Sequence, residues 1–309
     1  MKLNTPVEIR PLEKRLTYKD GILFVGSCFA DEMGVRCRER YFRSMVNPFG
    51  VLFNPCSVAD CLALLENPSD RFTQKDVIET PGGFCSFHHH GSMARSIAQE
   101  FLDNANRVLK EASAFYCSAG WVVVTLGTAF IYTDKDTGMV VANCHKLPAD
   151  RFERTMIDAD QVYDALSKYV AESPDRQWIF TVSPVRHLSD GLHANTLSKA
   201  TLHLGIQKLV EQYSNAHYFP AYEILTDELR DYRFYADDMM HPSALAADYI
   251  FERFMDYALA DADRPLLAEA EKIRGMMQHR VLNPGTTQAQ RFEQQRAEAL
   301  ETFLSQIKQ

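Results

Sequence analysis

Three side chains far apart in the chain form a set suited to acyl chemistry: Ser27, Asp238 and His241. Asp238 and His241 stand three positions apart in Tyr235-Ala236-Asp237-Asp238-Met239-Met240-His241-Pro242-Ser243, so one tight turn brings the carboxylate to an imidazole nitrogen. A carboxylate there fixes the tautomer and steadies the imidazolium, leaving the far nitrogen to take a proton from a nucleophile. Asp237 offers the same group at a spacing that fits less well. Pro242 sets the exit from the turn, and Ser243 can cap a following helix. Ser27 lies in Phe24-Val25-Gly26-Ser27-Cys28-Phe29-Ala30, between a short apolar run and a helical pattern. At the carboxyl end of a parallel strand, helix N-termini point N–H groups into the crevice where ligands collect. A serine there can present its hydroxyl while its own N–H faces developing negative charge, and Gly26 leaves the approach open. Two plainer readings stand beside this one. Ser27 can be only a helix N-cap, and Cys28, nucleophilic by chemistry, can be a small buried thiol in the first turn.

The elements that must position these groups alternate short apolar runs with helical patterns, the sign of a parallel sheet covered on both faces. Ile22-Leu23-Phe24-Val25-Gly26 reads as a buried strand, with a helix from about Cys28 to Glu39. Val58, Cys61, Leu62 and Leu65 recur at helical spacing before Pro68, and Phe101, Ala105, Val108, Leu109, Ala112 and Phe115 mark a long helix. Trp121 to Leu126 is the clearest central strand. Phe130-Ile131-Tyr132 and Met139-Val140-Val141 flank the hairpin loop Thr133 to Gly138. Val162, Leu166, Tyr169 and Val170 mark a helix ending before Pro174. Trp178 to Val182 is the next strand, a helix covers residues 195 to 213, His217-Tyr218-Phe219 is a last short strand, and Ser243 to Leu259 is helical. Residues 263 to 309 differ in character. Leu266, Leu267, Ala270 and Ile273 would line one amphipathic helix and Phe292, Ala299, Phe303 and Ile307 another, with Asn283-Pro284-Gly285 between them. Those faces need cover, from the main domain or from a second subunit of a homo-oligomer.

Composition narrows the function classes. The 309 residues are 46% hydrophobic and 24% charged, ordinary for a globular chain. A net charge of −8 without a basic stripe disfavours nucleic acid. No window reaches the roughly 20 apolar residues of a membrane span, and the charged stretch Met1 to Lys19 lacks a signal peptide's apolar run. Seven cysteines without C-x-x-C spacing fit reduced, buried thiols better than disulfides or a zinc cage. The expectation is a cytoplasmic protein with no membrane partner.

The chain resembles the GSCFA family, whose string stands here as Gly26-Ser27-Cys28-Phe29-Ala30. Asn47-Pro48-Phe49-Gly50, Thr125-Leu126-Gly127-Thr128-Ala129, Ala142-Asn143-Cys144-His145-Lys146 and Ser183-Pro184-Val185-Arg186-His187 are similar to further family blocks. So is the string from Tyr218-Phe219-Pro220 to His241-Pro242-Ser243, and the resemblance covers roughly residues 20 to 260. It implies an SGNH or GDSL-type hydrolase with a flavodoxin-like three-layer α/β/α fold, Ser27 as nucleophile, and Asp238 and His241 as its relay. It implies an oxyanion donor at Gly50. The sequence departs from the Gly-x-Asn-Asp block, ending its strand Leu126-Gly127-Thr128-Ala129, so Thr128 or Asn47 must supply the third donor. The usual Asp of Gly-Asp-Ser is also absent.

Residues 1–260 are therefore expected to form the SGNH-like domain, with 261–309 a C-terminal helical extension. Arg186, after the Trp178 strand, can clamp an anionic group on the substrate or pair with Asp190. Arg230 and Arg233 read as structural ion pairs. His145 can face the cleft. His88 and His90 would share a face of a strand as two metal ligands do, but no partner completes a recognisable spacing, and a serine relay needs neither metal nor cofactor. The expected function is an esterase or acyltransferase working through an acyl-enzyme on a small O-acyl substrate. Relatives of that superfamily suggest O-acetyl carbohydrate. The alternatives are a non-catalytic module that binds an acylated or glycan ligand and, third, a metal hydrolase built on His88, His90 and His145.

Overall fold

In the computed structural model, residues 5–69, 71–280, 283 and 285–307 are described. The chain begins with β1 (Ile22–Gly26), α1 (Cys28–Glu39), β2 (Ser44–Val46) and α2 (Pro55–Glu66), then a hairpin of β3 (Ile78–Thr80) and β4 (Gly83–Cys85). Helix α3 (Ala98–Ser118) leads to β5 (Trp121–Leu126), the strands β6 (Phe130–Asp134), β7 (Val140–Val141) and β8 (Phe152–Met156), and α4 (Ala159–Ala171). Next come β9 (Gln177–Val182), α5 (Leu192–Gln212), β10 (Ala216–Tyr218) and a short α6 (Ala221–Glu223) that runs into a π-helical turn over Ile224–Leu229. Helices α7 (Ala244–Ala258), α8 (Arg264–Gln278) and α9 (Thr287–Ile307) complete it.

Five strands pair in parallel in the order β2-β1-β5-β9-β10. Every residue of β1, β5 and β9 is buried, as expected of strands covered on both faces. The pleat divides them. Leu23, Val25, Val122, Val124, Trp178 and Phe180 meet one core with α2, α3, α4 and α5, whereas Ile22, Phe24, Trp121, Val123 and Ile179 meet another with α1, α7 and the C-terminal helices. Each fully buried aliphatic side chain adds roughly 2 kcal/mol, so the centre of the sheet is its most rigid part. The chain steps from β1 outward to β2 and then crosses back to β5. The crevice beyond the carboxyl ends of β1 and β5 is thus the switch point of the sheet, where such folds hold ligands.

Gly26 makes the exit of β1 workable. Its φ is +136°, and a Cβ there would stand 2.1 Å from the Thr125 carbonyl oxygen of the neighbouring strand.

The expected helices and central strands are present, the 195–213 helix starting earlier at Leu192. Three features were not foreseen. β2 is a half-buried three-residue edge strand, β8 adds a third strand to the β6–β7 hairpin, and the π-helical turn precedes the Asp-x-x-His segment. The tail helices lie on the main body: Ala270, Ile273 and Phe303 are buried with Tyr18, Phe42 and Phe251, and Phe303 meets the rings of Tyr18 and Tyr41 at 5.8 and 5.5 Å. Pro284, between the two tail segments, lies outside the described residues.

Candidate active site

The loop after β1 and the turn before α7 meet at the switch point. Within the turn, the Ala236 N–H donates to the His241 carbonyl at 2.8 Å and the Met239 N–H to the Ala236 carbonyl at 2.9 Å, with Met239 left-handed at φ 57°. Asp238 is tied on both oxygens. One accepts the N–H groups of Met240 and His241, each at 2.9 Å, and the other stands 2.7 Å from His241 Nδ1. The two backbone N–H bonds, followed by the imidazole, hold the Asp238 carboxyl down at about 2, so it is ionised at any neutral pH. An Nδ1–H donating to this carboxylate leaves Nε2 as a free acceptor.

That acceptor faces Cys28. Its Sγ stands 3.4 Å from His241 Nε2. Ser27 instead is only 1% exposed and serves as the N-cap of α1, its Oγ accepting the Phe29 N–H at 3.3 Å. The residues differ because a cap side chain folds back over the first turn, whereas the first helical residue points about 100° further round the axis. The contact expected between Ser27 and His241 is therefore made by Cys28, and Ser27 takes the capping role.

Burial, followed by the Asp31 carboxylate, pushes the Cys28 thiol up to about 11, while Lys199 and Cys28's own backbone N–H pull the other way. A thiol held up in this way reacts only with help from a base, and His241 Nε2 is the acceptor within reach of it.

The expected oxyanion donors have partners within the protein. The Ser27 N–H donates to Thr125 O at 2.9 Å and the Gly50 N–H to Asn47 O at 2.8 Å. Gly50 is needed for another reason, since at φ +78° a Cβ would press to 2.6 Å from His90 Cβ. Asn47 is a brace: its Oδ1 accepts the Gly26 N–H at 2.8 Å and its amide donates to Asp31 at 2.7 Å. The Thr128 N–H donates to Phe53 O, and its hydroxyl lies 3.1 Å from Ser198 Oγ and accepts the Phe130 N–H.

Thr128 does line a cavity of about 320 Å³, with Phe53, Phe130, Tyr132, Arg154 and His187 among its walls. Phe53 joins this cavity to the loop after β1, because its carbonyl accepts the Gly127 N–H and Gly127 packs against Ser27. Arg186 lines a separate pocket of about 440 Å³ with Thr226, Arg230, Tyr235 and Met239, and its backbone N–H reaches Met240 O at 3.4 Å. Its guanidinium forms no ion pair with any of the described residues. Asp190, its expected partner, pairs with Arg154. Arg230 and Arg233 pair with Asp227 and Asp231 as expected.

The histidines disperse. His88 Nδ1 pairs with Asp60, His90 Nδ1 stands 3.0 Å from Ser92 Oγ, and the buried His145 places Nε2 2.9 Å from Ser86 O. Among the described residues no three His, Cys, Asp or Glu side chains form a metal-ligating group. His145 braces the 86–89 loop and does not line the cavity; its neighbours Asn143 and Cys144 do.

Sequence reasoning missed the polar face of α5. Asn195 accepts the His187 N–H, Ser198 accepts the Ala129 N–H, and Lys199 donates to the carbonyls of Gly127 and Ser183, both at 2.7 Å. Their i, i+3, i+4 spacing was the available signal.

Residues 21–254 match the GSCFA family, and the chain belongs to it. No curated protein matches the chain. No helix among the described residues is long and apolar enough to cross a membrane.

Proposed function

We propose that this protein is an acyl-ester hydrolase or acyltransferase whose nucleophile is Cys28, driven by His241 and Asp238. The observation that carries this reading is the continuous chain from Asp238 Oδ2 to His241 Nδ1 at 2.7 Å and from Nε2 to Cys28 Sγ at 3.4 Å. It lies at the switch point of a sheet whose strand order is that of flavodoxin-like doubly wound folds. The order supports the SGNH-like assignment, and laying Gly-Asp-Ser on Gly26-Ser27-Cys28 puts the thiol where that superfamily has its serine.

In the first half-reaction the Cys28 thiol proton moves to His241 Nε2 as sulfur attacks the ester carbonyl carbon. The carbonyl π pair moves onto oxygen, where the Cys28 N–H at the N-terminus of α1, which also favours the sulfur anion, can donate. The intermediate collapses by breaking the carbon–oxygen bond, the Nε2 proton goes to the departing alkoxide, and a thioester remains on Cys28. Water, or a second alcohol for transfer, then gives its proton to Nε2 and attacks the thioester. The carbon–sulfur bond breaks and the proton returns to sulfur. The cavity of about 320 Å³ fits a small acyl group or one sugar-sized unit, and its Phe53, Phe130 and Tyr132 rings suit the apolar face of either.

Turnover of a chromogenic acetyl ester by Cys28→Ala, Ser27→Ala and His241→Ala proteins tests the assignment. Loss in the Cys28 and His241 variants with most activity kept in Ser27→Ala supports it. Activity surviving in Cys28→Ala and lost in Ser27→Ala would return the role to the serine. A binding module without turnover would be inactive in every form.

A further inference from the structure

The loop after β9 is a wall shared by two cavities. His187 and Ser189 line the smaller one, of about 320 Å³, whereas Arg186 and Leu188 line the larger, of about 440 Å³. The larger cavity is also joined to the turn that carries the relay. Met239, in its wall, lies between Asp238 and His241 in the chain. Tyr235, beside it, forms a bridge pair with Pro242, the residue after His241. The Arg186 N–H closes the other side by donating to Met240 O at 3.4 Å.

Two kinds of side chain meet in this larger cavity. Leu188, Leu192, Tyr232 and Met239 are large apolar residues left exposed there, Tyr232 to 79%. Such residues gathered at a cavity favour a ligand that removes them from water. The charges are of one surplus sign. Asp231 is taken up by Arg233, whose N–H it accepts at 2.9 Å and whose guanidinium stands at 3.2 Å. Arg230 pairs with Asp227 at 3.9 Å. Arg186 is left over: it is half-buried, and its guanidinium makes no hydrogen bond or ion pair among the described residues. A partly desolvated guanidinium without an anion has lost hydration that a bound oxyanion would replace with charge-assisted hydrogen bonds. Backbone strain gathers at the same place, since Arg230 and Met239 are both left-handed, at φ 40° and 57°.

We propose that the larger cavity is the subsite for the alcohol part of the ester, and that this alcohol carries a carboxylate or phosphate on an apolar body. The assignment of sides rests on the acyl-ester reading of the site. There His241 hands its proton to the departing alkoxide, so the alcohol oxygen has to lie beside the turn that bears His241. The larger cavity is lined by that turn and the smaller is not, which leaves the smaller for the acyl group. Arg186 holds the oxyanion, and Leu188, Leu192, Tyr232 and Met239 cover the apolar body. In transfer the accepting alcohol enters the same cavity, since its attack on the thioester is the departure run backwards.

The test begins with binding to the Cys28→Ala protein, measured by calorimetry with three para-substituted phenols: neutral tyrosol, phloretate and hydroquinone monophosphate. The better of the two anions should bind about tenfold more tightly than tyrosol, the gain of one charge-assisted contact, and it names the oxyanion. Adding Arg186→Gln, with a melting curve to confirm folding, should erase that preference and leave tyrosol as it was. Equal affinities for all three phenols, no binding of either anion, or a preference that survives Arg186→Gln overturns the proposal. Should Arg186→Gln not fold, Leu192→Glu on the exposed rim decides: it should weaken the anions and spare tyrosol, and unchanged anion binding refutes the subsite. Kinetics then test the side. In an otherwise wild-type protein, Arg186→Gln should raise KM severalfold more for acetyl phloretate than for the mono-succinyl ester of para-cresol, which carries its carboxylate on the acyl part. Equal rises overturn the alcohol assignment. Failure of the underlying reading shows separately, as ester turnover that persists in Cys28→Ala.

Discussion

Replacing Asp238 by Asn probes the relay with little disturbance to the turn. The asparagine carbonyl can still accept the N–H groups of Met240 and His241, both at 2.9 Å, so the loop that presents the imidazole keeps its anchors. What changes is the group 2.7 Å from His241 Nδ1, a carboxylate oxygen becoming an NH2. That donor forces Nδ1 to accept, moves the ring proton to Nε2, and leaves no lone pair for the Cys28 thiol. Loss of a general base costs about 10²-fold, and loss of tautomer control in a comparable relay about 10⁴-fold. Because the thiol is held up at about 11, little thiolate exists to react without the base, so a fall in kcat between these limits is expected, about 3–5 kcal/mol in barrier. KM should change little. Chromogenic acetyl-ester kinetics, with a melting curve on the same sample, are the assay. A folded Asp238→Asn protein with turnover within about threefold of wild type, under 1 kcal/mol, refutes the relay.

Three other outcomes follow from the same geometry. Gly26→Ala forces a Cβ against the Thr125 carbonyl at a φ that L residues avoid, and should cost more than about 3 kcal/mol, read as loss of soluble protein or a sharply lowered melting temperature. Phe303→Ala empties the contact between α9 and the rings of Tyr18 and Tyr41 and should cost about 3–5 kcal/mol; an unchanged melting temperature would mean the tail does not brace the body. Arg186→Ala should leave the melting temperature almost unchanged, because its guanidinium forms no ion pair among the described residues, yet raise KM severalfold for esters bearing an anionic group; equal effects on neutral and anionic esters would remove the clamp role.

The sheet was legible because β1, β5 and β9 are short runs of large apolar residues that fit only a doubly covered position. Edge elements were not. Ser44-Met45-Val46 is three half-buried residues long, and Phe152-Glu153-Arg154-Thr155-Met156 is mostly exposed, so neither carries a periodic signal. The Asp-x-x-His pair was readable because three-residue spacing alone suffices to close a turn. The proposed nucleophile was harder. Ser27 and Cys28 are adjacent, and only the capping geometry of α1 decides which side chain turns inward to the first turn and which turns toward His241. Lys199 escaped notice because a lysine on a helix reads as solvated face until the neighbouring loops are placed over it.

The most direct test is to find where the acyl group goes. The protein is mixed with a chromogenic acetyl ester, quenched in acid during the first turnover, digested and mapped by tandem mass spectrometry. The account predicts a thioester on Cys28, removable by hydroxylamine and missing in His241→Ala. An acetyl group on the Ser27 hydroxyl, with Cys28 unmodified, would contradict it.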